Sequence, residues 1–425
     1  QSHLKKDELK DKMTQVFDYI RNIDGTQDCI SISQDHLSLL KNQCTTEECN
    51  KLFNDSKIFC SAKTKANVDQ TLYDSVTAPL MERFQYLYFK TSNHYEDDNV
   101  VINGNGQFFK SAGRMNYFFF TDSMIIFKKT VTADILLVGG GGSGNHSAIK
   151  RDGTGGAGGG GGGVGVGQLK FIQYGNYTFV VGKGGNVAEK IDGIKINRDK
   201  LKSITDNQMN SVYDSEDIGK FGGIAVNGED SKIVSWGHGN NEINEIAYGG
   251  GGAGTTSDGY LDGMSNVNRG EIFLLSGKYG GSGGGGISNV GINGTGGTAL
   301  GGSGTLTYYG NKGGSSAKYV GGGGGGAMEA GGDASDQGPG NGGAGYKFLS
   351  NYYGGGGGAG VGISLDSKVI GKQGMGGHHS GGNGGAKVGD NGNDAAPFSG
   401  GGGGGAAANG ERGGNGANGI IIMII

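Results

Sequence analysis

Proline is almost missing from this chain: three residues among 425, at Pro79, Pro339 and Pro397. Collagen is thereby excluded, because it needs abundant proline together with glycine at every third place. Cysteine stops at residue 60, with four in total at Cys29, Cys44, Cys49 and Cys60. No apolar run approaches the ~20 residues that a membrane-spanning helix requires, so no membrane insertion is expected. Charge of one sign is lacking too. With 36 basic and 40 acidic residues the net charge is −4, and the signs are mixed along the chain. No strong attraction to nucleic acid or to a membrane surface follows.

What is abundant is glycine, with 97 residues. Uninterrupted runs occupy 158–163, 249–252, 283–286, 321–326, 354–358 and 400–405. A flexible Gly/Ser linker would hold few large apolar groups, whereas this chain has 18 Tyr and 17 Phe, enough for a packed core. A glycine run has nothing to bury, and fixing each glycine costs ~1–2 kcal/mol or more of backbone entropy. Its one structural advantage is close approach of backbone to backbone. In the threefold polyproline II form the N–H and C=O groups point outward. Several such rods in a parallel and antiparallel array are expected to satisfy one another. A six-residue run spans ~19 Å at ~3.1 Å per residue, and rods of matched length are what a bundle needs.

The chain divides into three parts. Residues 1–95 read as helical: Leu4, Leu9, Met13, Val16, Phe17 and Ile20 recur at helical spacing, a second helix starts near Ser33, and a third follows Cys60. The cysteine spacings of 14, 4 and 10 residues contain no Cys-x-x-Cys pair for zinc, which points to disulfides. Three pairings are possible, and the nested one, Cys44 with Cys49 inside Cys29 with Cys60, is preferred. Disulfides imply an oxidising compartment, and a chain beginning at Gln1 rather than Met is expected of a mature secreted protein. Four sequons, at Asn54, Asn145, Asn176 and Asn293, are candidate glycosylation sites.

From Val100 the period changes to two. Strands are predicted at Val100, Gln107, Tyr117, Met124, Ile135, Gln168, Tyr177, Ile224, Lys232, Ile272 and Ile420, with polar insertions near 187–219 and 255–270. Residues 96–138 are expected to lead strand by strand into a glycine-rich domain over 139–425. The fold class predicted for the whole is α+β and multidomain: a disulfide-stapled helical head, then a β-sandwich with a polyglycine II bundle.

The stretch Asp134-Ile-Leu-Leu-Val-Gly-Gly-Gly-Gly-Ser-Gly144 carries a family likeness. Together with Asn176-Tyr-Thr-Phe-Val-Val-Gly-Lys-Gly-Gly185, Tyr248-Gly-Gly-Gly-Gly-Ala-Gly254 and the close Gly413-Gly-Asn-Gly-Ala-Asn-Gly-Ile-Ile-Ile-Met-Ile-Ile425, it resembles the glycine-rich domain of phage and viral tail-fibre-like and secreted proteins. A similar region occurs in anaplastic lymphoma kinase-type receptors. The likeness covers about 115–425 and none of the head. It implies a glycine-helix bundle beside a β-sandwich, used for adhesion or surface structure.

No catalytic, cofactor-binding or metal-binding residues are identified, and no enzyme is expected. Residues 139–144 satisfy the spacing of the dinucleotide fingerprint, but that motif needs a helix to follow, and glycine returns within a few residues. His378 and His379 sit between glycines without a nearby carboxylate and read as loop residues. Tyrosines 308, 309, 319, 346, 352 and 353 lie beside glycine runs, where they either cap the bundle or stack on sugars or a partner. Two apolar stretches are candidates for assembly: Phe84, Tyr86, Tyr88 and Phe89, and the terminal Ile420, Ile421, Ile422, Ile424 and Ile425. The latter either completes this chain's own sheet or adds to a neighbour's. The expected protein is a secreted subunit that joins copies of itself into a fibre, filament or coat. The alternative is an adhesin that binds a glycan or a cell surface.

Overall fold

The computed structural model describes residues 94–145, 153–186, 225–236, 242–255, 275–289 and 292–425. Short β-branched and aromatic runs broken by Asn, Gly and Asp form the first strands: β1 (Tyr95–Glu96), β2 (Val100–Asn103), β3 (Gly106–Ser111), β4 (Arg114–Phe119), β5 (Ser123–Phe127) and β6 (Val131–Val138). Then come β7 (Val164–Phe171), β8 (Asn176–Val180), β9 (Ser231–Trp236), β10 (Asn244–Ala247), β11 (Ser288–Asn289), β12 (Ile292–Asn293), β13 (Gly302–Ser303) and β14 (Thr307–Tyr309). The series ends with β15 (Tyr346–Phe348), β16 (Asn351–Tyr353), β17 (Gly362–Ile363), β18 (Val369–Ile370) and β19 (Ile420–Ile424).

Two antiparallel sheets make the sandwich. One has the order β1-β2-β5-β8-β9-β10-β13, the other β14-β7-β6-β19-β4-β3. Alternation assigns the faces. Val100, Ile102, Ile125, Phe127, Tyr177, Phe179 and Ile233 of the first sheet meet Tyr117, Phe119, Ile135, Leu137, Phe171, Ile421 and Met423 of the second. Phe127 and Phe171 stack across this core with centroids 4.4 Å apart. The residues between them, Leu136, Val138, Ile420, Ile422 and Ile424, face the opposite side of the second sheet.

The strand β19 runs between β4 and β6, with Ile422 opposite both Phe118 and Leu136. Four of its five residues are at most 4 % exposed and Ile424 is 7 % exposed. The terminal isoleucines thus complete this chain's own sheet and offer no free edge to a neighbour. Each contributes about 1.5–3 kcal/mol by burial.

The glycine runs are ordered by their own hydrogen bonds, which repeat every third residue. In the rod 155–163, the N–H groups of Gly158 and Gly161 donate to Gly322 and Gly325, at 3.1 and 3.0 Å. Those of Gly159 and Gly162 donate to Gly403 and Gly400, at 2.9 and 2.8 Å. Those of Gly160 and Gly163 donate to Gly251 and Tyr248, both at 2.8 Å. Carbonyls of the same rod accept from three further segments: Gly142 to Gly160, Gly285 to Gly158, and Gly357 to Gly159. One rod is therefore bonded to six neighbours, three through its donors and three through its acceptors. None of the glycines 155–163 has a positive φ, consistent with the extended threefold form. The Cβ of an alanine in place of Gly158 or Gly162 would stand 1.9 Å from the carbonyl oxygen of Gly357 or Gly139. Such spacing admits no side chain at these positions.

Every complete regular element among the described residues is a strand, which corrects the α+β assignment: this part is all-β. The physical reason is that helical spacing is confined to the first ninety-odd residues, whereas beyond Tyr95 the period is two and glycine costs a helix about 1 kcal/mol each. The expected helices, the four cysteines, and the polar insertions at 187–219 and 256–270 lie outside the described residues.

Candidate functional site

The sandwich and bundle meet on the outer face of the β14-to-β3 sheet. Leu136, Val138, Ile420 and Ile422 of the sheet pack there against Ala327 and Tyr353 from the glycine-rich segments. The β15–β16 hairpin leans on the same face through Tyr346 and Phe348, and Tyr346 stacks on Tyr309 at 5.3 Å. Cover is incomplete toward β3. Phe118 and Phe120 remain half-buried. Phe118 meets Phe109 edge-on at 5.3 Å, and Phe120 meets Phe398 at 4.8 Å. Phe109 is 42 % exposed and Phe398 39 %.

Beside this aromatic strip runs β3, which pairs with β4 alone among the described strands and is exposed at five of its six positions. Its outer edge presents backbone groups outside the sheet's ladder, and Lys110 is its one charged residue. The turn of the β15–β16 hairpin places Leu349 (φ 46°) and Ser350 (φ 76°) in the left-handed region. Such a two-residue turn ordinarily takes Asn-Gly. Here a leucine 54 % exposed occupies it, at a backbone cost on the order of 1 kcal/mol per residue. The result is an aromatic strip beside the β3 edge, and an exposed leucine at the tip of the hairpin that packs on the same sheet.

A second surface feature is the ring of Tyr352. His378 stacks on it at 5.4 Å, His379 lies tilted at 5.9 Å, and the Lys347 ammonium stands 5.9 Å from its centroid. Both histidines are exposed. The other tyrosines beside glycine runs divide. Tyr308 and Tyr353 are packing residues, and burial pushes both phenols up in pKa. Tyr319 is half-buried with φ 69° and Lys318 over its ring at 5.2 Å.

The dinucleotide fingerprint is dismantled by its own hydrogen bonds. The N–H groups of Gly139, Gly140, Gly141, Gly142, Ser143 and Gly144 donate to Gly163, Glu229, Ala417, Gly160, Val226 and Gly414. No backbone donor of that loop is left for a pyrophosphate, and the Ser143 side chain is fully buried. Gly280-Gly281-Ser282-Gly283-Gly284 has the letters of a hydrolase nucleophile loop, but Ser282 is fully buried in the bundle and accepts from the Asn311 N–H at 3.2 Å.

Among the sequons, Asn145 is fully buried with its amide donating to the Gly254 carbonyl, and Asn176 is 1 % exposed. Neither can carry a glycan in the folded chain. Asn293 is exposed. Asn54, Phe84, Tyr86, Tyr88 and Phe89 lie outside the described residues. Sequence reasoning passed over Phe109, Phe398, Leu349 and Glu245, since single residues at turns and edges carry no periodic signal. No family model matches the sequence, and no curated protein matches it significantly.

Proposed function

We propose that the chain is a non-enzymatic, secreted structural protein whose copies join into a fibre, filament or coat. The observation that supports this reading is the aromatic strip of Phe109, Phe118, Phe120 and Phe398 running up to the bare edge of β3. A second copy fits that surface in both its properties: backbone groups to pair with the edge, apolar area to cover the rings. The six-neighbour glycine array behind it supplies stiffness, because displacing one rod breaks bonds in six directions. In this reading the joint lies at β3 and the Leu349 tip, and the terminal isoleucines have no part in it.

Electron microscopy of the purified native chain tests this. Regular filaments or sheets that are lost on Phe109→Asp, with a folded monomer remaining, are the expected result. Discrete monomers at all concentrations would overturn polymerisation. A second reading, adhesion to a glycan, is favoured by the half-buried Tyr352 ring with the exposed His378 and His379 and with Lys347 around it, since aromatic rings flanked by polar groups stack on sugars. Monomers that bind a glycan array and lose binding on Tyr352→Ala would establish it instead.

A further inference from the structure

The chain holds ten Asn-Gly pairs. In this dipeptide the asparagine amide is open to attack by the next backbone nitrogen, because glycine has no side chain to shield it. In the eight pairs from Asn227 to Asn418 that nitrogen is engaged: the glycine N–H donates to a backbone carbonyl at 2.8 to 3.0 Å. At Asn227, Asn341, Asn383, Asn391 and Asn418 the side-chain Oδ1 also accepts from a neighbouring N–H. Both reacting groups are thereby held in place. The other two pairs lie between β2 and β3. Asn103 closes β2 opposite Met124, and a Cβ on Gly104 would stand 2.0 Å from the Ser123 Oγ. Asn103 and Gly104 are half-buried, whereas Asn105 and Gly106 are both exposed.

Strand pairing shows where the Gly106 N–H points. Ala112 and Gly113, at φ 52° and 79°, form the two-residue turn between β3 and β4, which Ser111 and Arg114 close as a hydrogen-bonded pair. Bonding alternates from there, so Gln107, Phe109 and Ser111 bond to β4. Gly106, Phe108 and Lys110 turn their N–H and C=O to the outer edge. Met115 has the matching phase, since it exchanges both its bonds with Ile425 on the far side of β4. The fold also demands glycine at 106, where a Cβ would stand 2.3 Å from the Phe118 carbonyl oxygen. No bulkier residue can slow the attack.

We infer that Asn105 is a site of spontaneous modification, deamidating through a cyclic imide with Gly106. Solvent base takes the proton of the Gly106 nitrogen, which attacks the Asn105 Cγ. A C–N bond forms, the bond from Cγ to Nδ2 breaks, and the proton returns to Nδ2, which leaves as ammonia. Water then opens the imide at one of its two carbonyls, giving aspartate or isoaspartate. Either product puts a carboxylate at the start of β3, and isoaspartate also lengthens the backbone by one carbon. Resting on the assembly reading, this change charges the joint at β3, so that an aged subunit joins its neighbours less readily.

The test incubates the native full chain in mildly alkaline buffer and maps aspartate and isoaspartate by electron-transfer fragmentation of its peptides. Conversion at Asn105 severalfold faster than at Asn103 and at each of the eight bonded pairs is expected. In urea, with the bonds of the fold gone, the ten pairs should converge to similar rates. Equal native rates, or a bonded pair reacting first, would overturn the assignment. So would an order unchanged in urea, which would trace the difference to sequence rather than to structure. Light scattering reads the joint separately, comparing the aged chain with aged Asn105→Gln, whose longer side chain disfavours ring closure. Weaker assembly of the unsubstituted chain supports both the site and the joint. A chain that deamidates at Asn105 yet assembles like the variant keeps the site and removes β3 from the joint.

Discussion

The Tyr308 hydroxyl donates to Oε2 of Glu245 at 2.5 Å, joining β14 of one sheet to β10 of the other. Glu245 is 2 % exposed, and its carboxylate also accepts from the Thr305 N–H and hydroxyl, both at 2.5 Å, and the Leu306 N–H at 3.2 Å. Four donors hold the buried charge and close the sandwich along this margin. Glu245→Ala strands those donors and is expected to cost about 3 kcal/mol or more, Glu245→Gln somewhat less because one oxygen survives. Urea titrations of the two variants check the order; equal, small losses would show that the margin is held otherwise.

Glycine-to-alanine substitutions should separate rod positions from turns sharply. At Gly162 the added methyl meets a carbonyl oxygen at 1.9 Å, and the rod has six neighbours that would all have to give way. A loss above about 4 kcal/mol, or no folded protein, is expected. At Gly113 nothing lies within 4 Å, and only its φ of 79° opposes a side chain. Gly113→Ala should cost about 1 kcal/mol. Thermal unfolding of both variants reads the contrast.

How much of this was legible beforehand depends on what kind of signal each residue carries. The strands at Val100, Tyr117, Met124, Ile135, Tyr177, Lys232 and Ile420 stand where the alternation put them. The threefold bonding of the glycine runs follows from the lack of any side chain to bury. What the sequence could not supply was partnership. Nothing in the letters says that Gly158 meets Gly322 while Gly159 meets Gly403, because every glycine is the same. Whether Ile420 to Ile425 serves this chain or another was likewise open until its register with Phe118 and Leu136 was known. Strands such as β10 and β14 were missed because Asn244-Glu-Ile-Ala and Thr307-Tyr-Tyr are too short to show a period. The helical head gave the α+β class, which the described all-β part does not share.

Alkaline pH should act on this fold in two opposing steps. Burial pushes the Lys278 ammonium from 10.5 down to about 7, so between those values the unfolded chain holds a proton that the folded one has released. Stability therefore rises with pH from about 7 toward 10.5. Burial and the neighbouring Asp97 push Tyr95 up to about 12, and burial followed by hydrogen bonds to Asp97 and Glu245 raises Tyr117 and Tyr308. Above about 10 the unfolded chain loses phenolic protons that the folded one keeps, and stability falls. A maximum near pH ~10 is expected in the denaturation midpoint. Lys278→Met should flatten the rising limb and leave the falling limb unchanged.

Replacing Leu349-Ser350 by Asn-Gly relieves the left-handed turn and should stabilise the fold by ~1 kcal/mol. If the exposed leucine belongs to a joint between copies, the same change weakens assembly while the subunit becomes more stable. Melting temperature and light scattering on one sample read both effects. A stabler subunit that assembles as before would remove Leu349 from the joint.

The bundle also determines how heat enters this molecule. Unfolding raises heat capacity through newly wetted apolar surface and lowers it through newly wetted peptide groups. The rod 155–163 buries almost nothing but peptide groups, so its opening contributes little or negative heat capacity, while the sandwich contributes the usual positive share. The curve of stability against temperature should then be broader and flatter than that of an all-hydrophobic domain of equal length. A protein built this way weakens only slowly in the cold.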